Sequence, residues 1–163
     1  MTLAVGDSLP EATLLEKVGD EIRPVPSDAL FGGRRVVLFA VPGAFTGMCS
    51  TQHLPSFIRV ADRLRARGVD VIACLAVNDP FVMQSWGEGS GATAAGIRML
   101  SDAGGAFTGK LGDMTFDNPP RGLYGRSRRY ALFAEDGVVR VLNIETSRDN
   151  CEISGGETML AAI

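Results

Sequence analysis

Two apolar runs with a helical pattern between them constrain the fold of this chain more than any other feature. The run GRRVVLFAV (Gly33–Val41) is rich in β-branched residues and opens at a glycine pair, which indicates a buried strand. The run VDVIACLAV (Val69–Val77) is apolar on both faces, as a central strand of a parallel sheet should be. The intervening STQHLPSFIRVADRLRARG has apolar residues at helical spacing and ends on Gly68, a typical stop, although Pro55 inside it is unexpected. The three segments predict a β-α-β unit.

The rest of the chain extends this pattern. NDPFVMQSWGE predicts a second helix, capped by Asn78 or Asp79 with Pro80 in its first position, and GIRMLSD predicts a third strand. RYALFA and VVRVLNIE flank EDG and predict a hairpin, GGETMLAAI predicts a short terminal helix, and GEGSGATAAG predicts a flexible connection. This order predicts an α/β fold with a mixed central sheet flanked by helices, formed as a single domain over residues 1–163.

The composition narrows the class of protein. A chain of 163 residues with 45% hydrophobic and 21% charged residues is typical of a soluble globular domain, and a net charge of -3 lacks the basic footprint of a nucleic-acid-binding protein. Arg126 and Arg128 belong to a short arginine cluster that we expect to form a solvated turn. The N-terminus does not resemble a signal peptide and no run of about 18 apolar residues occurs, so no membrane association is expected. Three cysteines, an odd number, favour free thiols and a cytoplasmic location.

A lone cysteine lies where the first predicted strand passes into the helix, in the stretch VPGAFTGMCSTQHLP. With Thr46 as the N-cap, Cys49 falls in the first turn, near backbone N–H groups that the helix leaves unpaired. A thiol with an ordinary pKa of about 8.5 is mostly protonated at neutral pH, and converting most of it to the anion requires roughly 3.4 kcal/mol. A helix N-terminus supplies at most about 2 kcal/mol, so a reactive cysteine here needs a positive side chain or further hydrogen bonds. The alternative is an inert core thiol.

The motif PGAFTGMC has the form P-x-x-x-T-x-x-C and resembles the active-site signature of the peroxiredoxins. The longer blocks VPGAFTGMCSTQHLPSF, GVDVIACLAVNDPFVMQSW and RRYALFAEDGVVRVLNIE are similar to the type-II or atypical branch, which is shared with plant and mitochondrial enzymes. The resemblance extends from about Gly6 to the terminal helix. It implies a thioredoxin-like fold and a thiol peroxidase that needs no metal or organic cofactor.

The resemblance assigns roles to four residues. Cys49 takes the position of the peroxidatic cysteine, which becomes a sulfenic acid, and Thr46 that of the threonine that helps to hold the peroxide. Pro42 matches the proline that shields the sulfur, and Arg129 matches the arginine that supports the thiolate and the bound peroxide. The implied substrates are hydrogen peroxide and small alkyl hydroperoxides. Gly47 stands where the family usually has proline, and we expect the first helical turn to fray more easily for that reason.

The route from sulfenic acid back to thiol stays open at the level of sequence. Cys74, inside VIACLAV, and Cys151, in the polar stretch SRDNCEIS, are the internal candidates for a resolving thiol. The simplest interpretation of Cys74 is a buried apolar residue, and the sequence around Cys151 does not align cleanly with the resolving cysteines of atypical members. The remaining route is direct attack on the sulfenic acid by glutathione or glutaredoxin, which the plant-like sequence favours over thioredoxin.

The resemblance also implies a homodimer built on loops near the active site. Asp79, Phe81, Trp86 and Phe116 are candidates for its interface. Aromatic residues near turns are more often edges of the core, so both interpretations stay open.

Other functions are compatible with parts of the sequence. A redox sensor that passes oxidation to a partner with little turnover would use the same cysteine, but Pro42, Thr46 and Arg129 favour a peroxidase. His53, four residues after Cys49, allows a hydrolase-type Cys–His pair, although no third partner is evident and a structural role is preferred. A zinc site lacks a C-x-x-C pair, and CSTQ in place of C-x-x-C argues against a thiol–disulfide oxidoreductase.

Overall fold

The computed structural model describes residues 2–147 and 151–163. The strands are β1 (Thr13–Val18), β2 (Glu21–Pro26), β3 (Arg35–Ala40), β4 (Val71–Ala76), β5 (Arg98–Ser101), β6 (Thr115–Asn118), β7 (Leu123–Ser127), β8 (Tyr130–Glu135) and β9 (Val138–Ile144). The α-helices are α1 (Ser27–Phe31), α2 (Leu54–Ala66), α3 (Pro80–Ser90), α4 (Ala106–Gly109) and α5 (Gly156–Ala162), with a π-helical turn at Cys49–His53 and a 3-10 turn at Pro119–Arg121. None of the helices described is long and apolar enough to span a membrane.

Parallel pairing occupies the middle of the main sheet, whose strand order is β2-β1-β5-β4-β3-β8-β9. β3 pairs with β4 and β4 with β5 in parallel, whereas β8 pairs antiparallel with β3 and β9 with β8. On the other side, β1 joins β5 antiparallel and carries β2 as the edge strand. The predicted β-α-β-α-β order, the hairpin, the terminal helix and the mixed sheet are confirmed.

Both faces of the central strands are buried, which explains their continuous apolar sequence. Val37 and Phe39 of β3 belong to a core cluster that also contains residues of α2, α3 and α5. Val36 and Leu38, which alternate with them, belong to a second cluster that contains residues of α1 and α4. Cys49 is a member of the first cluster. The cysteine that the sequence singled out is therefore packed against the sheet.

Two hairpins lie outside the predicted elements. β1 and β2 are joined at Gly19–Asp20, where Gly19 has a φ of 59°, a conformation that glycine adopts without steric cost. Pro24 and Pro26 lie in β2, and prolines are tolerated there because it is an edge strand. β6 and β7 pair with each other in a separate two-stranded sheet. Neither hairpin has the apolar alternation that would have marked it in the sequence.

The second helix, α3, is longer than the sequence suggested. Asp79 caps it, since its Oδ1 accepts a hydrogen bond from the backbone N of Val82 at 2.9 Å. The prediction of a flexible connection is wrong for Gly87–Ser90, which are helical. A Cβ on Gly87 would lie 2.5 Å from Met99 Cγ, so the glycine allows α3 to pack closely on β5.

The contact between α2 and α5 depends on a glycine. The backbone N of Gly156 donates to Ser56 Oγ at 2.8 Å, and a Cβ on Gly156 would collide with the backbone carbonyl of Ser56 and with Val60 Cγ2. We expect Gly156→Ala to lower the free energy of unfolding by about 1–3 kcal/mol, because neither backbone can retreat without disturbing the core. Urea unfolding measures this change.

Gly89→Ala is the matched control. Gly89 is helical and has open space where a Cβ would lie, so alanine there is expected to raise the free energy of unfolding by about 0.5–1 kcal/mol. Equal effects of the two substitutions would contradict the proposed role of Gly156.

Candidate active site

The loop that follows β3 is held by two side chains from other parts of the chain. Asn78 Oδ1 accepts from the backbone N of Ala44 at 2.9 Å, and Arg126 Nη1 donates to the carbonyl of Pro42 at 3.1 Å. The prediction that Arg126 lies in a solvated turn is wrong, because its side chain is half-buried against this loop. These two bonds hold the backbone of the loop that contains Pro42.

Thr46 occupies the N-cap position, because the helical backbone starts at the next residue, Gly47. Its hydroxyl donates to the carbonyl of Gly43 at 2.7 Å, and its own carbonyl accepts from the backbone N of Ser50 at 3.0 Å. The hydrogen bonds found within residues 2–147 and 151–163 include none from a first-turn N–H to this hydroxyl, so the predicted side-chain cap is wrong. With its proton directed to Gly43, the hydroxyl keeps oxygen lone pairs for another donor.

The helix that carries Cys49 begins with a widened turn. Cys49–His53 are π-helical, and the backbone N of Leu54 donates to the carbonyl of Cys49, five residues earlier. Pro55 explains the widening, because it has no N–H to donate and its ring would crowd the carbonyl of Thr51 in a regular α-helix. Turns of this kind are frequent at functional sites. The proline that looked out of place in the sequence therefore shapes the turn that holds the cysteine.

Arg129 supplies positive charge at the sulfur of Cys49. Its Nη2 donates to Cys49 Sγ at 3.0 Å, and both residues are almost completely buried. Arg129 directly precedes β8, which pairs with β3, and β3 leads into the loop that carries the cysteine. Adjacent strands thus bring together two residues that lie 80 positions apart in the sequence.

The one histidine of the chain is bonded at both ring nitrogens. His53 Nδ1 lies 2.9 Å from Arg129 Nη1, and Nε2 lies 2.9 Å from the carbonyl of Ser154. A guanidinium can only donate and a carbonyl can only accept, so the neutral ring carries its proton on Nε2. Burial, aided by the positive charge of Arg129, lowers the pKa of His53 to about 3.

This geometry argues against two alternatives. A histidine that stays neutral and accepts from an arginine cannot take a proton from Cys49 at neutral pH, so the hydrolase-type Cys–His pair has no base. Within the described residues, no group of three or more His, Cys, Asp or Glu side chains could hold a metal ion. His53 has the structural role that the sequence favoured.

A cavity of about 400 Å³ opens beside the cysteine. Pro42, Thr46 and Arg129, which the sequence grouped with Cys49, all line it. Its opposite wall comes from the β6–β7 hairpin and includes Phe116 and Leu123. The structure therefore brings Pro42, Thr46 and Arg129 together around one space. Cys49 is buried next to it, and the Arg129 side chain connects the cavity with the sulfur.

The two other cysteines are free thiols in different surroundings. Cys74 is completely buried in β4, and burial raises its pKa well above the ordinary value. Cys151 is half-buried, and burial raises its pKa too, against a smaller opposing effect of the Ser154 side chain. Neither environment activates a thiol.

Several residues of the site gave no signal in the sequence. Glu145 is buried, and its Oε2 accepts from the backbone N of Ile153, from the backbone N of Ser154 and from Ser154 Oγ. These bonds hold the backbone of Ser154, whose carbonyl accepts the hydrogen bond from His53 Nε2. In the sequence Glu145 is only a glutamate at the end of a predicted strand, and nothing in the local pattern marks it as buried.

Comparisons with known proteins point to one family. A family profile described as Redoxin matches residues 4–160. The chain is 50% identical over 165 residues to "Peroxiredoxin-2E-2, chloroplastic" from Oryza sativa subsp. japonica, covering 99% of this chain and 73% of the relative. It is 38% identical to "Peroxiredoxin-2B" from Arabidopsis thaliana over 162 residues, 99% of this chain and 98% of the relative. The crystal structure of reduced Prx3 in complex with H2O2 from Vibrio vulnificus superposes with a TM-score of 0.89 at 45% identity and covers 99% of each chain.

His53 makes the stability of the fold depend on pH. The pKa of this side chain falls from its ordinary value of 6.5 to about 3 on folding. Below pH 6.5 the unfolded chain therefore takes up a proton that the folded chain rejects, and the free energy of unfolding falls as the pH drops. The expected loss from this residue between pH 7 and pH 4 is about 3 kcal/mol.

Urea unfolding of the wild type and of His53→Gln at pH 7 and pH 4 measures this loss. Glutamine offers an acceptor and a donor but does not titrate, so the variant should lose about 3 kcal/mol less than the wild type over this range. Acidic groups common to both proteins cancel in the comparison. If the free energy of unfolding fell equally in both proteins, His53 would be protonated in the folded protein at pH 4, which would contradict the prediction.

Proposed function

The chain is a peroxiredoxin, a thiol peroxidase of the Redoxin family with the thioredoxin-like fold that its sequence implied, and we propose that Cys49 is its peroxide-reducing residue. The proposed substrates are hydrogen peroxide and small alkyl hydroperoxides, and Thr46, Arg129 and Pro42 complete the site. The observation that supports this most is the 3.0 Å contact between Arg129 Nη2 and Cys49 Sγ, beside the cavity that all three of those residues line.

In the proposed reaction, the Cys49 thiolate attacks one oxygen of the peroxide in line with the O–O bond. An S–O bond forms as the O–O bond breaks, so the sulfur is oxidised to sulfenic acid and the peroxide is reduced. Negative charge develops on the leaving oxygen, and the Arg129 guanidinium stabilises it. The Thr46 hydroxyl, whose proton is directed to Gly43, accepts a hydrogen bond from the peroxide O–H.

The leaving oxygen takes its last proton from water. The oxygen that is attacked keeps its own proton and becomes the hydroxyl of the sulfenic acid, while the departing hydroxide or alkoxide is protonated to water or an alcohol. His53 does not supply this proton, because its single N–H is directed to the carbonyl of Ser154 and away from Arg129. Pro42 lines the cavity and limits the access of bulk water to the sulfur.

Glutathione is the proposed reductant. Its thiolate attacks the sulfur of the sulfenic acid, an S–S bond forms as the S–O bond breaks, and the departing hydroxide is protonated by solvent to water. Glutaredoxin or a second glutathione then reduces the mixed disulfide. Cys74 is buried within the central strand β4 and has no route to the surface. Cys151 has a pKa raised by burial and is therefore a poor nucleophile at neutral pH. An internal disulfide with Cys151, reduced by thioredoxin, is the alternative.

A peroxide sensor that hands its oxidation to a partner is a second candidate, since it would use the same sulfur. Steady-state consumption of peroxide with a reductant separates the two functions, because a sensor stops after about one turnover. Both functions need the cavity and Arg129 for the reaction with peroxide, so the turnover measurement decides between them.

We also propose that the protein acts in the cytoplasm and forms a homodimer. Phe81 and Phe45 are both more than half exposed, which suits a contact between two copies near the active site. Trp86 is buried, which favours the alternative that it belongs to the core. The three cysteines that remain free are consistent with a reducing compartment.

Cysteine variants test the proposed cycle. Peroxide consumption is measured with glutathione and glutaredoxin, and separately with thioredoxin and its reductase. Cys49→Ser is expected to lose activity at least about 1000-fold with either system, because no thiolate remains at the site. Cys151→Ser and Cys74→Ser are expected to keep glutathione-dependent turnover within about twofold of the wild type.

Two results would contradict the proposal. Turnover by Cys49→Ser would exclude this residue as the one oxidised. A loss of turnover in Cys151→Ser together with activity only with thioredoxin would replace the glutathione route by an internal disulfide.

A further inference from the structure

The guanidinium of Arg129 has two partners on its two terminal nitrogens. Nη2 donates to Cys49 Sγ at 3.0 Å, and Nη1 donates to His53 Nδ1 at 2.9 Å. A guanidinium is planar and rigid, so a bond that fixes one terminal nitrogen also fixes the direction of the other. The acceptor on His53 therefore sets the angle at which Arg129 meets the sulfur.

His53 is in turn oriented by a distant segment. Its Nε2 donates to the carbonyl of Ser154, 101 positions later in the chain and two residues before α5. Both residues are completely buried, so water does not compete for this bond. The direction of the imidazole ring depends on where the backbone of Ser154 lies.

One buried carboxylate oxygen holds that backbone. Glu145 Oε2 accepts from the backbone N of Ile153 at 2.9 Å, the backbone N of Ser154 at 2.7 Å and Ser154 Oγ at 2.6 Å. The backbone N of Glu145 donates to the carbonyl of Arg129 at 3.0 Å. The path thus starts at the main chain of Arg129, passes through Glu145, Ser154 and His53, and returns to the Arg129 side chain. We call these four residues the Arg129 circuit.

We propose that Glu145 is a positioning residue for peroxide reduction, which acts through Ser154 and His53 to keep the Arg129 guanidinium on the sulfur of Cys49. This inference rests on the proposed function of Cys49. The Glu145 carboxylate bonds to the backbone of Ile153 and to Ser154, so its effect on the sulfur is carried through the geometry of that segment. The segment before α5 is accordingly part of the site, although it lies far from the motif in sequence.

Asp102 offers a matched control for the cost of disturbing such a carboxylate. It is also buried and also accepts three hydrogen bonds, from the backbone N of Phe107, the backbone N of Thr108 and Thr108 Oγ1. It belongs to the segment between β5 and α4 and shares no residue with the Arg129 circuit. Asp102→Ala and Glu145→Ala should therefore destabilise the fold in similar ways but differ in their effect on Cys49.

The first experiment measures the second-order rate constant for oxidation of Cys49 by hydrogen peroxide in a single turnover. Trp86 is a suitable reporter, because its Nε1 donates to Oγ of Ser50, the neighbour of Cys49, and it is the chain's single tryptophan. Glu145→Ala is expected to lower the rate constant about tenfold or more, and Asp102→Ala to leave it within about twofold. Glu145→Gln keeps an acceptor oxygen at the same distance and is expected to stay within about threefold. A wild-type rate in Glu145→Ala, or an equal loss in Asp102→Ala, would overturn the proposal.

The second experiment keeps the proposal testable if Glu145→Ala does not fold. His53→Asn retains an acceptor for Arg129 but is too short to reach Ser154, so it should lower the rate constant about as much. Glu145→Asp, whose carboxylate is one carbon shorter, should lower the rate constant by itself. Combined with His53→Asn it should cause no further loss beyond about twofold, because both changes interrupt one path. Independent, multiplicative losses would show that Glu145 does not act through His53.

The third experiment does not involve peroxide and so separates this inference from the proposed function. The rate of alkylation of Cys49 by iodoacetamide is followed by mass spectrometry from pH 5 to pH 9. The titratable groups that interact with Arg129 include His53 and the three cysteines. The variants Glu145→Gln and His53→Asn leave all three cysteines in place. His53→Asn is expected to shift the alkylation profile to higher pH and Glu145→Gln to leave it near that of the wild type. Identical profiles for His53→Asn and the wild type would overturn the proposal, whatever the reaction with peroxide.

Discussion

The contact between Arg129 and Cys49 is the interaction on which the site depends. A guanidinium that is almost completely buried has lost most of its hydration, and such a group persists only where the protein supplies partners. Cys49 and His53 provide two of those partners from a single helical turn. Each of these contacts replaces part of the hydration that the buried cation has lost.

The core of the sheet makes this contact possible. β3 pairs on one side with β4 and on the other with β8, so the loop after β3 and the residue before β8 meet at the same end of the sheet. β3 and β8 run antiparallel, which places the end of β3 beside the beginning of β8. Arg129 therefore reaches Cys49 without a long loop, and the bonds from Asn78 and Arg126 hold the remaining backbone.

The sequence predicted the central strands and the long helices because each carries a local signal, and the family resemblance grouped Pro42, Thr46 and Arg129 with Cys49. Apolar runs mark buried strands, helical spacing marks α2, and the motif PGAFTGMC groups Pro42, Thr46 and Cys49 within eight residues. The bond from His53 to Ser154 spans 101 positions and depends on how α5 docks. No local pattern encodes such a pairing, so neither it nor the triple acceptor Glu145 could be predicted. The half-buried Arg126 was misjudged for the same reason, since its acceptor lies 84 positions away.

The burial of Cys49 beside a cavity of about 400 Å³ makes the closed fold a size filter. The cavity has room for the small peroxides of the proposed function, whereas a tripeptide or a protein thiol does not reach a sulfur that is only 1% exposed. On the proposed glutathione route, the reductive half of the cycle therefore needs the first helical turn to expose the sulfur. Stiffening that turn would favour the first half at the expense of the second, so an intermediate rigidity gives the fastest complete cycle.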